Sequence, residues 1–195
     1  MDSFLQPVPL EKAYRLINHG PTVLVSAQDQ HATDVMAAAW ACALEFQPAK
    51  VTVVLDKSTK TREIIERSGY FALQVPTLKQ IKMVTAVGNM SLHTVPEKLR
   101  QSGVELFQFP HHSIPCVQGC SAWLLCELIP ELHNQQEHDL FIGKVIAAYA
   151  DKRVFRDGHW YFHEVNDEWK SLHHVAGGHF YTIGDPVSVL SDDKA

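Results

Sequence analysis

Residues 55–64 read LDKSTKTREI, and they set Lys57, Lys60 and Arg62 among Ser58, Thr59 and Thr61. The pattern predicts a helix start here. A first helical turn already carries partial positive charge and unpaired N–H groups, so it ordinarily favours Asp or Glu. Cations and hydroxyls gathered at that point suit an incoming anion. A phosphate would take hydrogen bonds from Ser58, Thr59 and Thr61 and from free amides, with Lys60 supplying charge. The same residues also describe an ordinary hydroxyl-rich cap with solvated lysines, so this stretch alone leaves both readings open.

The second chemical feature is VMAAAWACALEF, residues 35–46. Alanine favours helix, but the segment stands between two strand-like runs and is read as one long strand of small side chains. Such a strand is poor by propensity. It makes sense if a planar ring lies against it, because the backbone of Met36, Ala37, Ala38, Ala39, Trp40 and Ala41 stays reachable, and Trp40 can wall the pocket. A tightly packed core strand or a dimer interface fits the same residues. A rival constellation is metal: HHSIPCVQGC places His111, His112, Cys116 and Cys120 within ten residues. Its spacing matches no standard zinc module, adjacent histidines on extended chain point in opposite directions, and no Cys-x-x-Cys is present. No metal site is assigned.

The elements that must position these residues follow from periodicity and punctuation. Short helices are expected at 10–18, at 61–69 with Gly69 as terminator, at 78–88 and at 96–103. Strands are expected at 22–28, 51–56, 70–76, 104–109, 122–130, 138–150 and 159–165. Residues 132–137, LHNQQE, read as a polar turn, which leaves His138 opening a buried strand. The tail from Asp192 is expected to fray. Strands outnumber helices and follow one another closely. This favours a mainly β protein, an antiparallel barrel with peripheral helices, over a doubly wound sheet. No Gly-x-Gly-x-x-Gly follows any strand, so no Rossmann site is expected.

The chain has 195 residues, enough for one domain with a sizeable core. Its net charge of −5 argues against a general nucleic-acid or anionic-membrane surface, so an anion must be held locally. No secretory signal and no apolar run near the roughly 20 residues of a membrane span are found. The four cysteines read as reduced thiols, and a cytoplasmic location is expected.

Small-residue strand, sharp turn at Gln47-Pro48, second strand and hydroxyl-rich helix start together describe a flat pocket beside a phosphate pocket. The run PTVLVSAQ…DVMAAAWACALEFQPAKVTVVLDKSTKTREIIERSGYFALQVP resembles the flavin reductase-like family, the FMN-binding split barrels that include flavoredoxins. PEKLRQSGVELFQ, IPCVQGCSAWLLCEL, HDLFIGKVIAAYAD and LHHVAGGHFYTIGD extend the likeness in order, over about residues 20–185 of a single domain spanning 1–195. The resemblance implies an antiparallel split barrel of six or seven strands, FMN as cofactor, and a homodimer with FMN near the subunit interface. It places Trp40 at the ring, Ser58, Thr59 and Thr61 at the phosphate, and Lys98, His138 and Tyr181 at family positions around the pocket. The family's usual Asn is Asp34 here and its usual Thr is Ala37. An ionised Asp cannot donate to a flavin oxygen, yet backbone groups can still bind the ring. The implied activity is that of an FMN-dependent oxidoreductase. NADH, NADPH or a protein would donate electrons, and a flavin, an iron complex or a partner protein would accept them. A non-enzymatic electron carrier or flavin storage or sensing protein, and a cofactor-free dimer, are the alternatives. No catalytic acid or base is assigned.

Overall fold

The computed structural model describes residues 3–187. Its first strands are β1 (Leu5–Pro7), β2 (Val23–Gln28), β3 (Thr33–Ala38), β4 (Ala41–Phe46), β5 (Ala49–Val54) and β6 (Tyr70–Val75). There follow β7 (Leu106–Phe107), β8 (Cys116–Val117), β9 (Ala122–Ile129), β10 (Leu140–Asp151), β11 (Phe155–Arg156), β12 (His159–Trp160), β13 (Leu172–Ala176) and β14 (His179–Thr182). The α-helices are α1 (Lys60–Ser68), α2 (Ile81–Asn89), α3 (Lys98–Gln101) and α4 (Leu132–His138).

One eight-stranded antiparallel sheet dominates, with the path β3-β2-β6-β9-β10-β5-β4 and with β1 added on β10. Its two end strands, β3 and β4, are consecutive in the chain. Only Ala39 and Trp40 separate them, so the two ends of the path lie within about 11 Å of each other. The sheet must therefore curl almost into a cylinder. No ladder joins β3 to β4, so the barrel stays split along that seam.

This geometry corrects the single long strand expected at 35–46. A continuous strand cannot pair with β2 at one end of the path and β5 at the other, so the chain breaks at Ala39–Trp40 and changes sides. The polar turn expected at 132–137 is instead α4, where the Gln135 N–H donates to the Glu131 carbonyl and the Gln135 side chain is buried. His138 thus ends a helix rather than opening a strand. Three smaller differences follow from thin local pattern: residues 104–109 form only β7, residues 159–165 form only β12 and a 3-10 turn, and the first helix is 3-10 over Leu10–Leu16. The hairpin of β13 and β14 is additional to the expected strands. The tail from Asp192 lies outside the described residues.

Alternation along the strands builds two apolar layers. In β9, Ala122, Leu124 and Cys126 face the barrel interior with Val53, Phe71 and Phe141, while Trp123 and Leu125 face outward beneath Val84 and Val87 of α2. Strands buried on both faces explain the nearly unbroken apolar runs of β9 and β10. Gly143 lets β10 approach the core: a Cβ there would lie 2.5 Å from Phe71 Cζ.

Candidate functional site

Where the barrel splits, a cavity of about 750 Å³ opens. Its floor is the end of β3 and the seam, residues 36–40, whose side chains are mostly methyl groups. Across from this ledge stand Thr85, Gly88 and Asn89 of α2; a Cβ on Gly88 would sit 3.4 Å from the Ala37 Cβ, so helix and ledge pack closely. Val54 and Asp56, from the end of β5, and His138 and Asp139, from the α4–β10 corner, form a third wall. The fourth is the hairpin, through His174, Val175, Gly177 and Phe180. The hairpin pairs only with itself and is tied to the barrel by Thr22, whose N–H donates to the Leu172 carbonyl (2.7 Å) and whose Oγ1 accepts from the His174 N–H (2.9 Å).

Of the residues singled out from sequence, Met36, Ala37, Ala38, Ala39, Trp40 and His138 line this cavity together. Trp40 is 75% exposed and its carbonyl accepts from the Val54 N–H, so the backbone is fixed while the indole is free at the rim. Ala41 begins β4 and packs on the core. Ser58, exposed, and Thr59, half-buried, lie just beyond Asp56, ahead of α1. Their hydroxyls already donate within the turn, Ser58 Oγ to Asp56 Oδ1 (2.6 Å) and Thr59 Oγ1 to the Asp56 carbonyl (2.8 Å). The Ser58 hydroxyl and amide hold the Asp56 carboxyl below the usual carboxylate range. Thr59 makes no side-chain cap to α1, so that helix starts without a side-chain acceptor from its N-cap. Lys60 pairs with Glu63 at 2.7 Å.

Ala41, Ser58, Thr59, Lys60, Asp34, Thr61, Lys98 and Tyr181 are not among the residues that line the cavity. Asp34, Thr61 and Lys98 are buried together behind the ledge: Lys98 Nζ lies 2.9 Å from Asp34 Oδ1, and Thr61 Oγ1 donates to Asp34 Oδ2 at 2.7 Å. Asp34 shares a strand face with Met36 and Ala38 but lies further from the seam, where Thr61 of α1 covers it, and Lys98 follows its countercharge. Where the resemblance implies ring or phosphate contacts, the structure has these three side chains buried on one another. Tyr181 stands 70% exposed on β14, and its neighbour Phe180 takes the cavity side. Sequence reasoning missed Thr85, Asn89, Asp139 and the hairpin residues. The hairpin had a signal, since His174-Val-Ala-Gly-Gly-His179 sets two glycines between strand-like flanks. The corner at Asp139 had none.

The rival His/Cys cluster is dispersed by the fold. Cys116 and Cys120 are buried, and burial pushes the Cys116 thiol up to about 12 and the Cys120 and Cys126 thiols higher still. Among the described residues no three His, Cys, Asp or Glu side chains converge on a metal-sized site.

A split antiparallel barrel with a side-chain-poor ledge beside a helix start is an architecture for a flat ligand with an anionic tail. The family model of the flavin reductase like domain matches residues 14–170, and the chain belongs to that family. A curated relative from Escherichia coli K12, YddH, is 40% identical over 185 residues, which are 93% of this chain and 96% of its own. The crystal structure of an FMN-binding domain of a flavin reductases-like enzyme from Shewanella baltica OS155 superposes with TM-score 0.95 at 55% identity, covering 97% of this chain and 99% of that one. Flavoredoxin of Desulfovibrio vulgaris (Miyazaki F) shares the fold, with TM-score 0.74 at 24% identity over 89% of this chain and 92% of its own.

Proposed function

We propose that this chain binds FMN in the cavity at the seam and serves as an oxidoreductase. The observation that carries the reading is the juxtaposition of the methyl-lined ledge, residues 36–40, with Asp56, which lines the same cavity and opens the turn leading into the uncapped start of α1. The residues fit the group. A ring system needs a floor from which no large side chain projects, and Ala37, Ala38 and Ala39 provide one. The volume lies within the usual 300–1,000 Å³ of cofactor pockets. A phosphate needs directed donors, and the first-turn amides of α1 together with the Ser58 and Thr59 hydroxyls supply them. Both hydroxyls would exchange their present Asp56 acceptors for phosphate oxygens. FMN, when bound, supplies hydride and single-electron chemistry. The chain's part is to orient the ring on the ledge, to exclude water with α2 and the hairpin, and to hold the anionic tail.

Electrons would come from NADH, NADPH or a protein donor and leave to a flavin, an iron complex or a partner protein. A second copy of the chain would cover the seam: Trp40, just ahead of the edge strand β4, and Leu44 and Phe46 on it are all more than half exposed, an unusual apolar row for a lone monomer. The free thiols Cys42, Cys116, Cys120 and Cys126 suit a reducing, cytoplasmic compartment. No helix among the described residues is long and apolar enough to cross a membrane.

The test is direct. Purified protein should show the flavin band near ~450 nm, either as isolated or after addition of FMN and gel filtration. Stopped-flow mixing with NADH or NADPH should then bleach that band at a catalytic rate. A protein that stays colourless with excess FMN overturns the binding reading. A yellow protein that no nicotinamide reduces is a carrier or a partner-fed enzyme instead.

A further inference from the structure

Arg62 belongs to the first turn of α1 but is only 6% exposed. Its guanidinium joins three separate elements. Nη1 donates to the carbonyl of Leu55 (3.1 Å), just past β5, and to the Asp139 carboxylate. Nη2 donates to the carbonyl of Gln135 in α4 at 2.7 Å, and Nε to Glu66 on its own helix at 3.0 Å. The group also lies over the Phe141 ring, 5.1 Å from its centroid. A backbone bond from Leu55 N–H to the Asp139 carbonyl, 2.9 Å, closes the same corner.

That corner needs outside support. α4 has seven residues, too few to be stable alone in water. Asp139, which follows it, sits at φ 54°, a left-handed conformation that costs a residue with a side chain. The regular ladder between β10 and β5 begins only at Leu140, opposite Val54. His138 and Asp139 are the residues this corner presents to the cavity, while Arg62 does not line it. A planar five-donor fork can bind two carbonyls and two carboxylates at once; a lysine ammonium cannot span them. Without the fork, buried carbonyls of Leu55 and Gln135 lose a donor.

We infer that Arg62 is a positioning residue for the site: it fixes the α4–β10 corner so that His138 meets the bound FMN, without touching the ligand itself. The inference rests on the FMN reading above and adds the group through which one wall of the pocket is held to the phosphate helix. His138 makes the contact; Arg62 decides where His138 stands.

A double-mutant cycle tests this by titrating FMN into the full-length protein and following the quenching of flavin fluorescence. His138→Ala and Arg62→Lys should each weaken FMN about tenfold, and the double variant should be no weaker than either, because the second change removes a contact already lost. Losses that multiply to about a hundredfold, or an Arg62→Lys affinity equal to wild type, overturn the inference. Should Arg62→Lys fail to fold, Arg62→Gln, which keeps two donors but cannot span all four acceptors, takes its place. Combined with His138→Ala it must again add nothing, and multiplied losses count against the inference equally. If the wild type itself leaves FMN fluorescence unchanged, the FMN reading falls first and takes this one with it. A wild type that quenches with a multiplicative cycle removes the role of Arg62 alone.

Discussion

Replacing Asp34 with Asn removes one charge and almost no volume, at the most enclosed ion pair among the described residues. Asp34 is 1% exposed and Lys98 2%, with Nζ and Oδ1 2.9 Å apart. The Asn carboxamide can still accept from Thr61 Oγ1, so that hydrogen bond survives. What is lost is the countercharge of a buried ammonium, and breaking a buried pair from one side costs about 3–5 kcal/mol. Asp34→Asn should therefore lower unfolding stability by about 3–5 kcal/mol. Lys98→Met, which leaves the carboxylate buried alone, should cost a similar amount. The double variant should return to within about 1 kcal/mol of wild type, because no unpaired charge remains. Urea unfolding followed by tryptophan fluorescence gives each value from midpoint and slope. A loss under about 1 kcal/mol for Asp34→Asn, or single losses that simply add in the double variant, would refute the buried-pair account. From sequence alone the same substitution restores a flavin donor and should hold or tighten FMN; the structure moves its effect to stability.

Three further outcomes are expected. The Ser58→Ala/Thr59→Ala double variant should weaken FMN by about tenfold or more while leaving riboflavin, which lacks the phosphate, unchanged; equal weakening in parallel titrations would exclude phosphate contact. His19 is packed between Trp160, Phe162 and His173 with both ring nitrogens unpartnered among the described residues, and burial, aided by the His173 charge, lowers its pKa from 6.5 to about 4. Because the unfolded chain binds the proton first, this stabilisation is whole above pH 6.5 and drains away as pH falls towards 4, by about 2 kcal/mol at roughly pH 5; His19→Leu should remove that share of the slope in urea unfolding across the window, and an unchanged slope would count against it. Gly143→Ala would push a methyl to 2.5 Å from Phe71 Cζ and 3.0 Å from Cys126 Cβ, so it should cost about 1–3 kcal/mol by thermal unfolding; a neutral result would mean the Phe71 ring moves freely.

The amino-acid sequence by itself determined the barrel class and the ledge. Strands such as β9 and β10 are apolar on both faces whatever their partners, and that local pattern belongs to a sheet with an interior and a covered exterior. The methyl-rich run at 36–39 and the hydroxyls ahead of α1 are likewise visible in one dimension, because the chemistry lies in the residue types themselves. Tertiary structure decided which of those residues face the cavity. Asp34, two positions before Met36, shares its strand face, but it lies further from the seam and is spoken for by Thr61 of α1 and by Lys98, 64 residues later in the chain. The break at Ala39–Trp40 exists only because β3 and β4 find partners at opposite ends of the sheet. The corner at His138 exists because Arg62 reaches it from another element. Local composition is written along the chain, but the direction a side chain faces depends on register and on long-range partners, and those are fixed only when the sheet closes.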